Sequence, residues 1–243
     1  MSCWFVDRAI LSEATAERFS SLDSIFAITG WRVTRCPISE LILTEIDGKS
    51  YYVKRYSRRG KVIRRWMGRS RVRAEWENLL FFRELGLRVP PIAAYGESGA
   101  RGVLITEEVP GAVDLHSLVR QRPELLRDRT WLAQVMVQVA EVAKRLHAAS
   151  FAHNDLKWRN ILVVGEVAPK VYLIDCPMGQ TWWGPLLAYR KVKDIACLDK
   201  VAKYCLNRTA RLRFYLLYVG RDHLTAADKI FIRKVLVFFA GRE

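Results

Sequence analysis

AHNDLKWRNILV, residues 152–163, sets His153, Asp155, Lys157 and Asn160 at fixed offsets in front of an apolar run. Fifteen residues after Asn160 the run KVYLID (170–175) ends on a further aspartate, Asp175, and the short polar turn GEVAP (165–169) lies between. Two apolar runs so joined read as a hairpin, which returns the chain to its start and brings Asp175 back beside Asn160 and Asp155. Three oxygen-bearing side chains then converge on one pocket. Asn and Asp oxygens are hard ligands of the kind Mg²⁺ takes when it also carries nucleotide phosphates, and an unligated Asp beside them can orient a hydroxyl and accept its proton. Taken singly, such residues most often cap turns; the reading rests on the set and its order.

Working outward, residues 31–56 alternate like strands in WRVTRC, ELILTEI and SYYVKRY, the last two joined through the hairpin-turn pair Asp47-Gly48. RAEWENLLFFRELG follows as a helix ending at Gly86 and stopped by Pro90-Pro91. GVLITEEV from Gly102 is strand-like. From Trp131 to Leu146 the residues Leu132, Val135, Met136, Val139, Val142, Ala143 and Leu146 form the apolar stripe of a buried-face helix. From Val192 on the chain reads as mostly helical. The expected fold class is α+β: a small antiparallel-sheet lobe over residues 1–108 with one helix, and a mainly helical lobe over 109–243 that carries the opening motif.

Composition narrows the partners. The 243 residues carry a formal charge of +15, which calls for an anionic partner such as nucleic acid, anionic lipid, nucleotide or a phosphorylated glycan. Five cysteines without a CxxC pair suggest neither a disulfide framework nor a zinc site. The first residues carry acids where a signal peptide would be apolar, and no apolar run approaches the ~18 residues of a membrane span. A soluble, reduced, cytoplasmic protein is expected, with contact to a membrane surface left open.

HNDLKWRN matches the kinase catalytic loop H-R-D-L-x-x-x-N at every fixed position except the arginine, and LIDCP stands where D-F-G is expected. Lys54 in YYVKRY resembles the strand lysine of V-A-I-K. Glu75, on the next helix, resembles its glutamate partner; it shares a helix face with Val72, Trp76, Leu79 and Phe82, whereas Glu77 points to the opposite side. His153 reads as a structural histidine. Three departures separate the chain from protein kinases. CPISEL (36–41) replaces the glycine-rich loop, Asn154 replaces the loop arginine, and only eighteen residues, without A-P-E, separate Asp175 from Asp194. Control by a phosphorylated activation loop and docking of a peptide are therefore not expected.

The whole pattern resembles the bacterial lipopolysaccharide core kinase family, whose members phosphorylate heptose or Kdo sugars of the inner core. The resemblance implies ATP between the lobes, Lys54 on its phosphates with Glu75 holding Lys54, and Asn160 and Asp175 on Mg²⁺. It implies Asp155 as base and Lys157 as the cation offsetting charge on the transferring phosphoryl group. Asp194 would brace the catalytic loop through its backbone. Ser39 and backbone N–H groups would cover the phosphates, and the stretch Thr106, Glu107 to Val109 would face the adenine. The acceptor would be lipopolysaccharide core at the cytoplasmic face of the inner membrane. The alternatives are a kinase for another small-molecule or protein hydroxyl, and a nucleotide-binding pseudokinase scaffold. The basic run opposes an aminoglycoside-type member of the first, whose substrate site is acidic to meet a cationic drug, and the presence of Lys54, Asp155, Asn160 and Asp175 opposes the second.

From Lys54 to Arg73 the chain carries ten Lys or Arg and no acid. An acceptor already bearing phosphates, or an anionic leaflet contacted through residues 54–73, explains this better than a merely solvated face. Trp66 and Met67 either insert at that interface or pack on the lobe. Trp182 and Trp183 either form a stacking floor for a sugar ring or pack the segment after Asp175. The basic residues around FYLLY (214–218) read as the edge of a buried helix, and no nucleic-acid partner is expected.

Overall fold

The computed structural model describes residues 3–57 and 69–241. The centre of the basic run, with Arg64, Arg65, Trp66 and Met67, lies outside the described residues. The chain divides into two compact units, Met1–Leu80 with Pro90–Val109, and Phe81–Val89 with Pro110–Glu243.

The first unit is built on an antiparallel sheet of six strands: β1 (Cys3–Val6), β2 (Trp31–Cys36), β3 (Ser39–Ile46), β4 (Lys49–Tyr56), β5 (Ile92–Ser98) and β6 (Arg101–Glu107), in the order β1-β5-β6-β4-β3-β2. The turn from β3 to β4 puts Asp47 at φ 52° and Gly48 at φ 73°, the left-handed pair that suits a two-residue hairpin. Two short helices precede the meander, α1 (Glu13–Arg18) and α2 (Leu22–Ala27). The hydroxyls of Ser12 and Thr15 at the start of α1 donate to the Asp47 carboxylate at 2.6 and 2.5 Å, which ties that helix to the hairpin. One face of the sheet is covered by this N-terminal segment: Phe19 and Ile25 are fully buried against Ile42, Tyr51, Val53, Val103 and Ile105. Phe19 meets Tyr51 edge-to-face with centroids 5.3 Å apart. The strand β1 and helices α1 and α2 had no clear sequence signal. A four-residue strand is too short to show a period, and its partner β5 is some ninety residues away. It fits because Gly96 leaves room for Trp4; a Cβ there would lie 2.0 Å from the indole.

Helix α3 (Arg71–Glu84) ends where Gly86, at φ 69°, lets the chain turn away. In the second unit come β7 (Val113–Asp114), α4 (Leu115–Gln121), α5 (Pro123–Arg127) and the long helix α6 (Arg129–Ala148). Asp128 caps α6 by accepting from Thr130 and Trp131 N–H, and its buried side runs through Trp131, Val135, Met136, Val139, Val142, Ala143 and Leu146. After β8 (Phe151–Ala152) and a 3₁₀ turn at Trp158–Asn160, the hairpin of β9 (Ile161–Val164) and β10 (Lys170–Leu173) forms with Leu173 opposite Ile161. The second strand stops at Leu173, so Asp175 stands two residues beyond it rather than ending it. The strand β11 (Gln180–Thr181) pairs with β8. The remainder is helical: α7 (Gly184–Cys205), α8 (Arg208–Val219) and α9 (Ala226–Val237). Helix α7 begins at Gly184, earlier than the Val192 of the sequence reading, because Pro185 supplies a ready helical φ in the first turn.

Phe19 is the keystone of the first unit's core. Replacing it by Ala should cost about 3–5 kcal/mol, the usual penalty for a deleted buried ring, read as a lower urea midpoint with an unchanged slope.

Candidate active site

In the first unit, β4 and α3 bring two charges together. The ammonium of Lys54 donates to both carboxylate oxygens of Glu75 at 2.9 Å, and the hydroxyl of Tyr56 donates to the same carboxylate. Glu75 is buried on the face it shares with Val72, Leu79 and Phe82. Glu77 is instead half-exposed and takes the guanidinium groups of Arg69 and Arg73 at 2.7 and 2.8 Å. Lys54 stands opposite Leu41 on β3 and Leu104 on β6, while Ser39 is two residues from Leu41 and Thr106 two from Leu104. Side chains two apart on a strand share a face, so Ser39, Lys54 and Thr106 lie on one face of the sheet, opposite the core. The Ser39 hydroxyl lies 3.2 Å from the Cys36 thiol across a tight turn. Further along, the N–H groups of Glu107 and Glu108 are taken by Pro91 and Ser50 carbonyls, the Glu107 carboxylate lies 3.4 Å from Lys49, and Val109 is half-buried at the end of the stretch.

In the second unit the loop 153–160 is held from behind by Asp194. This carboxylate, fully buried on α7, accepts the backbone N–H of His153 at 2.7 Å and of Asn154 at 2.8 Å. Two successive N–H groups can aim at one carboxylate because Asn154 adopts φ 65°, a conformation asparagine tolerates. His147 on α6 sits 3.4 Å from the same carboxylate, and its other ring nitrogen is 2.8 Å from the Tyr218 hydroxyl. Burial pushes the Tyr218 phenol up, so it stays a neutral hydroxyl. The Trp158 indole adds a bond to the Leu198 carbonyl at 2.9 Å. His153 itself is fully buried and stacks on Phe82, and neither of its ring nitrogens has a hydrogen-bond partner; burial pushes its pKa down and keeps it neutral. It is packing, with no proton to move.

On the other side of this loop stand the chemical groups. The Lys157 ammonium is 2.6 Å from the Asp155 carboxylate, and both are part-exposed. The side-chain N–H of Asn160 donates to the Asp155 carbonyl at 2.9 Å, and the Asn160 carbonyl accepts from Ile174 N–H at 3.1 Å, which extends the pairing just past the ends of β9 and β10 and leaves Asp175 one residue further on. With the amide nitrogen so engaged, the Asn160 side-chain oxygen is the atom left to face a ligand. Asp175 is held at φ 58°, a left-handed conformation that non-glycine residues keep only where the surroundings impose it. Among the described residues no group of three or more His, Cys, Asp or Glu gathers around a point. The Asn160 and Asp175 pair therefore fits a divalent ion that brings nucleotide phosphates as its other ligands, not an all-protein cage.

The segment after Asp175 is fastened at once. Cys176 is buried with its thiol toward the His153 carbonyl, and the Asn154 amide donates to the Met178 carbonyl at 2.9 Å. Gly179 is cramped between Cys176 and Phe151, where a Cβ would lie 2.5 Å from each. Trp182 N–H bonds the Ser150 carbonyl, and Arg190 stacks 4.4 Å from the Trp182 ring. The choice left open by the sequence is thus made: Trp182 packs, whereas Trp183 is 74% exposed. Several groups at the described ends of the basic run have partners within the protein. Arg55 donates to the Ile25 and Ile28 carbonyls at the end of α2, and Arg69 and Arg73 hold Glu77.

The profile of the lipopolysaccharide kinase (Kdo/WaaP) family matches residues 29–222. The chain belongs to the Kdo/WaaP family. Its fold is that of a solved structure described as WaaP in complex with acyl carrier protein, with a TM-score of 0.69 at 23% identity over 96% of both chains. No curated protein matches the sequence. Membership in this kinase family makes the chain a phosphotransferase. Among the described residues no helix is long and apolar enough to cross a membrane.

The sequence offered no signal for the Asn154 clamp on Met178 or for the His147 and Tyr218 support behind Asp194, since each joins residues far apart in the chain. Asp194→Ala should strand two buried N–H groups, costing about 1–3 kcal/mol for each. Guanidinium unfolding should show that loss, with part of it recovered in Asp194→Asn.

Proposed function

We propose that this chain is an ATP-dependent kinase that phosphorylates a heptose or Kdo sugar of the lipopolysaccharide inner core at the cytoplasmic face of the inner membrane. The observation that carries the proposal is the loop 153–160, in which Asp155, Lys157 and Asn160 project from a backbone fixed by a buried carboxylate. A group meant only to cap a turn needs no such support.

In this reading Asp155 accepts the proton of the sugar hydroxyl as that oxygen bonds to the γ-phosphorus of ATP and the bond from phosphorus to the departing ADP oxygen breaks. Lys157, 2.6 Å from the Asp155 carboxylate, lies ready to meet the negative oxygens of the transferring group. Lys54, aimed by Glu75, binds the nucleotide phosphates, with Ser39 on the same sheet face, and backbone groups from Thr106 through Glu107 to Val109 read the adenine. Mg²⁺, held by Asn160 and Asp175, would supply charge to offset the phosphates. A phosphorylated or anionic acceptor suits a chain of net charge +15 better than a cationic one.

A second partner is favoured by a separate observation. The second unit holds an apolar cavity of about 330 Å³ among α6, α7, α8 and α9, lined by Leu132, Met136, Leu198, Leu206 and Leu212, with Arg208 and the Arg211 and Asp199 ion pair among its walls. That size suits a small ligand. The solved relative is a complex with acyl carrier protein. We propose that this chain takes the acyl group of such a carrier in this cavity.

The activity is tested by transfer of labelled phosphate from ATP and Mg²⁺ to dephosphorylated core lipopolysaccharide. Asp155→Asn should lower turnover by about 10²–10⁴-fold with ATP binding retained. Near-normal turnover in that variant would remove Asp155 from the mechanism, and absence of transfer by the wild type despite ATP binding would point to another acceptor or a scaffold. For the partner, acyl-loaded carrier protein should raise the melting temperature and the unacylated carrier should not.

A further inference from the structure

The last helix carries a surface that neither the kinase reading nor the carrier protein accounts for. Helix α9 buries Asp228 and Val235 and packs Phe231 on Tyr215 and Tyr218. Its one acid, Asp228, is turned inward and occupied by Tyr215, Arg221 and Thr225. The opposite side is apolar and basic together. Ile230 and Val237 are 53% and 63% exposed, with Lys229, Arg233 and Lys234 exposed beside them, while Leu236 belongs to the wall of the cavity described above. Ile230, Arg233, Lys234 and Val237 follow i, i+3, i+4 and i+7, so they form one stripe. From Lys229 to Arg242 the sequence has no acid. Among the described residues no carboxylate pairs with Lys229, Arg233 or Lys234. The patch continues onto α7, where Leu186 is exposed and the Tyr189 ring lies 5.4 Å from Phe238.

We infer that this face of α9, with Leu186 and Tyr189 of α7, docks on the surface of an anionic lipid bilayer. Aliphatic side chains along the crest enter the acyl boundary, while the long stems of Lys229, Arg233 and Lys234 reach back to lipid phosphates. Charge complementarity identifies the occupant: among the described residues Lys229, Arg233 and Lys234 have no carboxylate partner, which matches a negatively charged headgroup layer. A protein partner fits less well, because protein hot spots are rich in Trp, Tyr and Arg and poor in Leu and Val. At the described ends of the basic run in the first unit Lys54, Arg55, Arg69 and Arg73 have partners within the protein, whereas on α9 exposed charge stands beside exposed apolar surface. The inference concerns where the protein rests, and it stands or falls separately from the choice of acceptor sugar.

The test uses the full chain and vesicles of phosphatidylcholine, alone or mixed with phosphatidylglycerol, in a sedimentation assay. The wild type should bind the anionic vesicles, and added salt should weaken binding. Arg233→Glu with Lys234→Glu, and separately Ile230→Ser with Val237→Ser, should each lower the partition coefficient by about tenfold or more. All substituted positions are exposed, and turnover on a soluble, deacylated core oligosaccharide should stay at the wild-type level. Equal binding to neutral and anionic vesicles, or wild-type binding by both double variants, would overturn the inference. If the variants keep vesicle binding and lose acyl carrier protein instead, the face is a protein-docking surface and the inference is again overturned. Charge-dependent vesicle binding without any transfer to the soluble acceptor would uphold the docking surface and count against the kinase reading alone.

Discussion

Everything chemical in the second unit hangs from one buried carboxylate. Asp194 takes the N–H groups of two successive residues, His153 and Asn154, and in doing so sets the direction in which the chain leaves toward Asp155. A charged acceptor binds each N–H more strongly than a carbonyl would, and its burial leaves it no competing water. The support extends backward through His147 to Tyr218 and sideways through Trp158 to Leu198, so α6, α7, α8 and the loop are joined in one hydrogen-bonded set. A loop so restrained loses little further freedom when it meets a substrate.

The departures from the protein-kinase pattern make sense against that support. Where a protein kinase carries an arginine, Asn154 adopts the left-handed backbone conformation and spends its side chain on the Met178 carbonyl, fastening the segment after Asp175 without any phosphate. The segment can be short because its strand Gln180–Thr181 pairs directly with Phe151–Ala152. The small Cys176 and Gly179 let it lie close to that strand. The Asn154 hydrogen bond, the strand pairing and this close packing together hold the segment.

The charge of the protein is not spread evenly in its consequences. At the described ends of the 54–73 run the basic groups orient catalytic or helical partners: Lys54 holds Glu75, Arg55 satisfies the last carbonyls of α2, and Arg69 with Arg73 fixes Glu77. On α9 the basic groups pair with no carboxylate among the described residues, and apolar side chains stand among them. Two stretches of similar composition therefore have different physical roles, and only the positions of their acids tell them apart.

How much could be read in advance follows from the range of each interaction. The hairpin 160–175, the meander 31–56, the buried face of α6 and the preference for Glu75 over Glu77 were legible because period, turn residues and motif spacing are local. The pairing of Lys54 with Glu75 was implied by the resemblance to the kinase pattern, and the structure has it at 2.9 Å. Four features were not legible: β1 on the sheet edge beside Gly96, the cover of α1 and α2, the Asn154 clamp, and the separation of a packed Trp182 from an exposed Trp183. Each depends on which distant surface a side chain meets, and a linear pattern carries no such distance. The sequence by itself determined the kinase-like order of elements and the identity of the chemical groups, since these reside in local spacing and residue type. Only the tertiary structure decided which charges are neutralised inside the protein and which remain outside, because burial and ion pairing belong to the folded chain as a whole.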